Sequence, residues 1–241
     1  RDTIGTDIWL ATNTVAASTS SAGTVWTIAA APGDPVAGHG GWAHAIPDQT
    51  TEATATSQEL GFGADGAPVT GFVANRAGNG MLTFQTRISL PVITNIRVNV
   101  GFSDDPTDAA VQAFSLSATT WTSTATDAAC WNFDDAATSD LWRGIAVSGG
   151  TDSAAGSDTA AVSTVPVVDT ATVLRIELDS SANAYFYKGT TAETLAFVGR
   201  QNADATGTLD TTVLTPYLGV TAVANTTDGA ALECDYVFVA C

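Results

Sequence analysis

The residues best suited to chemistry in this sequence are two carboxylates one position apart, Glu177 and Asp179. Glycoside hydrolysis needs two carboxyl groups about 5 to 9 Å apart, one of them with a raised pKa. Residues i and i+2 of a strand share a face and lie about 6.6 Å apart, so the spacing fits. No third acid follows, because residues 180–182 are Ser, Ser and Ala. The alternative, which we expect, is an outward strand face on which Arg175 and Glu177 belong to a cross-strand charge lattice.

Clustered aspartates are the second candidate, because Ca²⁺ takes several oxygen ligands from loops. The two clusters are Asp104, Asp105 and Asp108, and Asp134, Asp135 and Asp140. Neither matches the spacing of an EF-hand loop. Aspartate also favours turns, so we interpret both clusters as hydrated turn residues and expect no metal or other cofactor.

Aromatic side chains offer a third kind of site, because sugar-binding proteins stack pyranose rings on exposed aromatic residues beside polar acceptors. The candidates are Trp121, Trp131, Trp142, Tyr185 and Tyr187. We expect most of them to lie in the core, Trp131 and Trp142 among them, since each of these two belongs to a short apolar run. Tyr185 and Tyr187 flank Phe186 and therefore face the opposite side of their strand. These two tyrosines form the candidate glycan platform.

The histidines and cysteines give weaker signals. His39 and His44 have no third ligand at a zinc spacing, so we expect two loop histidines without metal. Cys130, Cys234 and Cys241 cannot all pair within one chain. We expect buried thiols in strands, with a Cys130–Cys234 disulfide as the alternative.

Apolar and polar residues that alternate with period two place these groups on β-strands. Leu, Glu and Lys, which exposed helices favour, are scarce, and Lys188 is the single lysine. The sequence therefore predicts an all-β, two-sheet antiparallel sandwich over residues 58–241, with under about a tenth helix. The predicted strands are 80–90, 95–104, 113–121, 129–133, 141–147, a hairpin over 172–189 that turns at 180–183, then 194–200, 214–223 and 231–241.

Residues 1–57 differ from the rest, being rich in Ala, Ser, Thr and Gly and broken by three prolines. Such a segment buries too little apolar surface to fold alone. It is either an extended arm that orders on a neighbouring subunit or the opening strands of the sandwich. Its apolar islands carry Trp9, Trp26 and Trp42, which we expect to make assembly contacts.

The net charge of −17 restricts the partners of this chain. Twenty aspartates and five glutamates stand against seven scattered arginines and one lysine. Phosphate binding needs clustered Lys and Arg, so the composition disfavours nucleic acid and anionic membrane surfaces. No apolar run approaches the roughly 20 residues that span a bilayer.

Five short motifs occur in order along the chain: GFSD at 101–104, TDAACWNFD at 126–134, TSDLW at 138–142, LRIELD at 174–179 and DYVFV at 235–239. Together they resemble a class of tailed-phage virion proteins, most of them from aquatic phages and metagenomes. The resemblance covers residues 80 to 240 and implies a concanavalin A-like jelly roll with a structural role.

This resemblance implies a non-enzymatic protein of the virion surface, assembled in the host cytoplasm: a capsid decoration or cement protein, or a head or tail fibre component. Its expected partners are other virion proteins, chiefly the major capsid protein, and further copies of itself. A strongly acidic surface would keep a marine particle dispersed. The first alternative is a glycan-binding module for host attachment. The second is a jelly-roll glycoside hydrolase, whose E-x-D-x-(x)-E pattern lacks its last acid here.

Overall fold

The computed structural model describes residues 81–104, 113–152, 161–202, 208–222 and 232–240, with short pieces at 27–28, 43–45, 57–61, 63–64, 67–68 and 72–74. These residues include a 3₁₀ turn at Ala192–Thr194. None of the helices described is long and apolar enough to cross a membrane. In chain order the strands are β1 (Thr27–Ile28), β2 (Ala43–Ala45), β3 (Ser57–Gly61), β4 (Gly63–Ala64), β5 (Ala67–Pro68), β6 (Leu82–Ser89), β7 (Ile96–Ser103), β8 (Phe114–Ser117), β9 (Thr120–Ser123), β10 (Ala128–Asp134), β11 (Arg143–Ser148), β12 (Thr151–Asp152), β13 (Ala161–Val162), β14 (Thr172–Leu178), β15 (Asn183–Gly189), β16 (Ala196–Asn202), β17 (Thr215–Ala222) and β18 (Leu232–Ala240).

Two antiparallel sheets contain most of the strands in the described residues. Sheet A has the strand order β1-β2-β18-β6-β14-β15-β16. Sheet B has the order β12-β11-β10-β7-β17-β3, and β13 also pairs with β11. Two short hairpins, β4-β5 and β8-β9, stand apart from these sheets. The prediction of an all-β, two-sheet antiparallel sandwich is confirmed.

The main core lies between the sheets and contains alternate apolar residues of the predicted strands. From sheet A these are Leu82, Phe84, Ile88, Leu174, Ile176 and Leu178, and from sheet B they are Ile96, Val98, Val100 and Phe102. Trp131 and Trp142 are fully buried in the same cluster, as expected. Ring contacts such as Trp131 against Phe186, with centroids 5.4 Å apart and edge-on, join the two sheets.

Sheet B is also covered on its outer face, which the sequence did not predict. Residues 113–121, expected as one strand, instead form part of the β8-β9 hairpin. Its Phe114 packs into a second buried cluster with Cys130, Ile145 and Tyr217, and Trp121 lies partly buried against it. Both faces of β10 and β11 are consequently buried.

The two described cysteines are free, buried thiols. Cys130 belongs to the second cluster, on the outer side of sheet B, whereas Cys234 belongs to the main core. Sheet B therefore separates them. Burial raises the pKa of both thiols, that of Cys234 to about 12. Cys241 lies outside the described residues.

The N-terminal segment contributes β1 and β2 to sheet A, where Leu232 to Cys234 of β18 pair with β2. The next strand, β3, pairs with β17 at the edge of sheet B. Trp9, Trp26 and Trp42 lie outside the described residues, and their assembly role stays a prediction, as does the division of the chain at residue 57.

Candidate functional site

The outer face of sheet A differs from that of sheet B because its described residues are polar and aromatic and partly exposed. Side chains on β6, β14, β15, β16 and β18 line it, and we call it the aromatic face. Its members are Gln85, Arg87, Arg175, Glu177, Tyr185, Tyr187, Phe197, Arg200, Tyr236 and Phe238. Their order follows from the register, in which Gln85 pairs with Arg175 and with Phe238, and Arg175 pairs with Tyr187.

A chain of hydrogen bonds fixes the centre of this face. Gln85 is buried and bridges two strands: its Nε2 donates to the Tyr236 hydroxyl at 2.7 Å, and its Oε1 accepts from Arg175 Nε at 2.8 Å. Behind the sheet, the Trp131 indole N–H donates to the backbone carbonyl of Arg175 at 3.1 Å. Gln85 thus orients the guanidinium of Arg175, while Trp131 holds the backbone of the same residue. Burial raises the pKa of Tyr236, so it stays a neutral hydroxyl.

Glu177 lies beside Arg175 on this face rather than in a pair of catalytic acids. Arg175 Nη1 is 3.4 Å from Glu177 Oε1, which is the charge contact expected from the sequence. The Tyr187 hydroxyl also forms a hydrogen bond with Glu177. Burial, followed by the negative charge of Glu177, raises the pKa of Tyr187.

Asp179, the other acid of the candidate pair, organises the turn between β14 and β15. Its carboxylate accepts hydrogen bonds from the backbone N–H of Ser181 and Asn183, the Asn183 side chain and the Tyr185 hydroxyl, at 2.8–3.0 Å. Burial opposes ionisation, but these donors outweigh it, and the pKa of Asp179 lies below its usual value. This carboxylate therefore serves the hairpin and stays charged.

The most exposed ring on the aromatic face is Phe197, which the sequence analysis did not single out. Its side chain is 58% exposed, and its ring meets that of Tyr187 edge-on with centroids 5.6 Å apart. A bulge between Phe186 and Tyr187 sets this register, so that Tyr187 pairs with Phe197 and Tyr185 with Arg200. Tyr185 and Tyr187 are half-buried and lie opposite Phe186, as predicted. The alternation of side chains in residues 195–200 (LAFVGR) could have indicated that Phe197 faces outward, but the bulge interrupts this alternation.

The aspartates of the cluster at 134–140 differ in burial and in their hydrogen-bond partners. Asp134 is fully buried, which corrects the expectation that it lies hydrated in a turn. It accepts hydrogen bonds from Arg97 Nε and from the backbone N–H of Leu116 and Ala136, because the β8-β9 hairpin covers that end of β10. Asp135 accepts a hydrogen bond from the backbone N–H of Asn95 at 2.6 Å and is partly buried, as is Asp140.

The other cluster is described only at Asp104, since Asp105 and Asp108 lie outside the described residues. Burial, reinforced by the charge of Asp127, raises the pKa of Asp104. Asp127, missed by the sequence analysis, is buried and accepts hydrogen bonds from the hydroxyls of Thr208 and Thr212 and the backbone of Gly149. In the described part of the chain, no three acidic, Cys or His side chains lie where they could hold a metal ion. His39 falls outside that part, and His44 is placed in β2 by its backbone.

The architecture is that of the concanavalin A-like jelly-roll sandwiches, the class to which solved lectin and glycosidase domains of similar fold belong. No protein-family model matches the chain, and no curated protein matches its sequence. The similarity is therefore one of fold.

Two solved structures illustrate this fold. The carbohydrate recognition domain of Emp47p has a TM-score of 0.52 at 8% identity, with 90% of this chain and 93% of that chain covered. The GlcNAcα1-4Gal-releasing endo-β-galactosidase from Clostridium perfringens has a TM-score of 0.50 at 14% identity, with 83% and 52% covered. The similar structures also include Bacteroides ovatus Xyloglucan PUL GH43B, with a TM-score of 0.45 at 9% identity and 85% of this chain covered. The chain spans 34% of that last protein's length.

Proposed function

We propose that this chain is a non-catalytic glycan-binding module whose ligand lies on the aromatic face. The observation that supports this most directly is the exposed Phe197 ring against Tyr187, flanked by oriented hydrogen-bonding groups. A sugar ring has an apolar face and a polar edge, and such a site offers a surface for each. The other broad face of the sandwich is covered by the β8-β9 hairpin.

The state of the two acids supports binding without hydrolysis. A glycosidase needs one carboxyl group with a raised pKa as its proton donor. Asp179 instead has a lowered pKa and is held by the turn that it organises. Glu177 is engaged by Arg175 and Tyr187. Neither arrangement leaves a free acid opposite a nucleophile.

The test is binding to a glycan array, with Tyr187→Ala and Phe197→Ala as the site variants. Both should lose the ligand of the native protein while the melting temperature changes little, because Phe197 is exposed and Tyr187 is only half-buried. Val167→Ala is the control, since Val167 is an exposed apolar residue, 63% accessible, in the loop before β14. An array on which the native protein binds nothing, or on which both ring variants bind as well as the native protein, would overturn the proposal.

We propose a second, broader role from the sequence motifs: a structural protein displayed on a tailed-phage virion, assembled in the host cytoplasm with the major capsid protein and with copies of itself. Several residues of these motifs hold the fold together. Asp127 ties the loop at Thr208 and Thr212 to β10, and Trp131 and Trp142 fill the core. Glycan binding would then serve host attachment.

Copurification tests this second role. The protein should accompany intact particles in a fixed ratio to the major capsid subunit. Its absence from purified particles would reject the virion role and leave glycan binding untouched.

A further inference from the structure

The arginines of this acidic chain are not spread evenly over the described surface. Arg175 and Arg200 belong to the aromatic face, and Arg87 lies on the same side of β6, in register with Tyr236. The other described basic side chains interact with nearby residues away from this face. Arg97 pairs with Asp134, and Lys188 donates to Thr164. Arg143 is buried and donates to Ser139 and Leu141. Three of seven arginines thus share one face of a chain whose net charge is −17.

Arg175 is prepared to receive an anion. Gln85 holds its Nε at 2.8 Å, and Nη1 contacts Glu177 at 3.4 Å, so the plane of the guanidinium is set before a ligand arrives. One third of the side chain is exposed. A planar fork with fixed orientation suits carboxylate and sulfate oxygens, which accept two parallel hydrogen bonds.

The two neighbouring arginines lie on either side of this centre. Arg200 is exposed on β16 across from Tyr185, and no described residue forms an ion pair with it. Arg87 pairs with Asp235 at 3.0 Å, with side chains 41% and 34% exposed. Such an exposed ion pair contributes little to stability.

We propose that the aromatic face selects an anionic polysaccharide, one whose sugars carry carboxylate or sulfate groups. This inference rests on the proposed glycan-binding function and names its ligand class. Tyr187 and Phe197 receive the apolar face of a sugar, and Arg175 and Arg200 bind the acidic substituents of that residue and its neighbour. Glu177 and Asp235 offset part of the positive charge of this face, so the attraction arises at the individual arginines and not from the net charge of the molecule.

The experiment measures affinities of the native chain for matched oligosaccharides by calorimetry. Oligogalacturonate supplies the carboxylate arm, sulfated carrageenan oligosaccharides supply the sulfate arm, and agaro- and laminari-oligosaccharides are the neutral controls. We expect at least one anionic arm to bind about tenfold or more tighter than the neutral sugars, the scale of one charge-assisted hydrogen-bonded pair. The arm that binds identifies the acidic group.

Arginine variants then locate the effect. Arg175→Gln and the surface variant Arg200→Gln should each remove most of the preference for the anionic ligand. Lys188→Gln, which also removes one positive charge but lies off the face, should not. Equal affinity for neutral and anionic sugars, or Arg200→Gln and Arg175→Gln variants that keep the preference, would overturn this inference while the proposed function stands. Binding to none of the four ligands, together with an empty array, would remove both.

Discussion

Asp134 is a buried carboxylate that joins three parts of the chain. It binds Arg97 of β7, the backbone of β8 at Leu116 and the turn after β10. Removing one partner of a buried ion pair leaves the other charge without compensation. Asp134→Ala should therefore lower the free energy of unfolding by about 3 kcal/mol.

Urea unfolding measures this loss, and Asp140→Ala is the matched control. Asp140 is only partly buried and belongs to the same acidic turn. Asp140→Ala should therefore lower the free energy of unfolding by no more than about 0.5 kcal/mol. Equal losses in the two variants would contradict the role given to Asp134.

Asp179 predicts a pH dependence of stability. Its folded pKa is lowered, so its contribution is present above the unfolded value near 4 and is lost as the pH falls through the lower folded value. The difference in unfolding free energy between the native chain and Asp179→Ala should be about 1–2 kcal/mol at pH 7 and should shrink below pH 4. A difference that stays constant from pH 7 to pH 2.5 would mean that the charge of Asp179 does not stabilise the turn.

A variant of Glu177 tests whether the protein hydrolyses glycans. We expect no release of reducing sugar from β-glucans, agars or alginates, because Glu177 and Asp179 are both engaged by neighbours. Any turnover that disappears in Glu177→Gln but persists in Asp235→Asn, an exposed acid on the same sheet, would establish an enzyme instead.

At the scale of elements, the β8-β9 hairpin makes the two faces of the sandwich unequal. Phe114 is fully buried beneath it, whereas Phe197 is 58% exposed on the aromatic face. Replacement by alanine should therefore lower the free energy of unfolding by about 3–5 kcal/mol for Phe114→Ala and by less than about 1 kcal/mol for Phe197→Ala. Chemical unfolding of the two variants compares them, and similar losses would mean that the hairpin does not bury the outer face of sheet B.

The hairpin also illustrates which elements the sequence could predict. Strands β6, β7 and β14 were predictable because their alternation is regular and one face meets the core. The turn of the hairpin was not, because it carries no Gly, Pro or Asn signal. Ala118 adopts φ +54° there, and its backbone is held by Ala136 and Thr138, in a distant part of the chain. A tertiary contact thus replaces local turn chemistry.

The candidate site was predictable in part for a similar reason. Tyr185 and Tyr187 follow from alternation around Phe186. Gln85 and Tyr236, which are 151 positions apart, meet only because a bulge between Cys234 and Tyr236 shifts the register of β18 against β6. Pairing at that distance depends on topology, which residue patterns within single strands do not encode.

At the scale of the whole molecule, we expect that most of the sandwich folds without residues 1–56. Their removal deletes β1 and β2 but keeps β3, which begins at Ser57. The truncated chain should still unfold in one cooperative transition, because β18 retains its longer pairing with β6. It should also lose self-association and particle binding, the role predicted for Trp9, Trp26 and Trp42.

Light scattering and sedimentation with particles check this outcome. A full-length chain with Trp9, Trp26 and Trp42 all replaced by Ala is the companion variant and should lose association in the same way. Unchanged association of the truncated chain, or its failure to fold, would reject the arm.

The position of β18 in sheet A has a consequence for how the protein is made. This strand, residues 232–240, lies between β2 and β6, which are synthesised far earlier. During translation, one edge of β6 therefore stays unpaired until residues 232–240, which form β18, have been synthesised. Pairing across such distances is slow and leaves strand edges exposed to other nascent chains. Chains that end before Leu232 should accordingly aggregate, and chains that include β18 should depend on holdase chaperones during their synthesis.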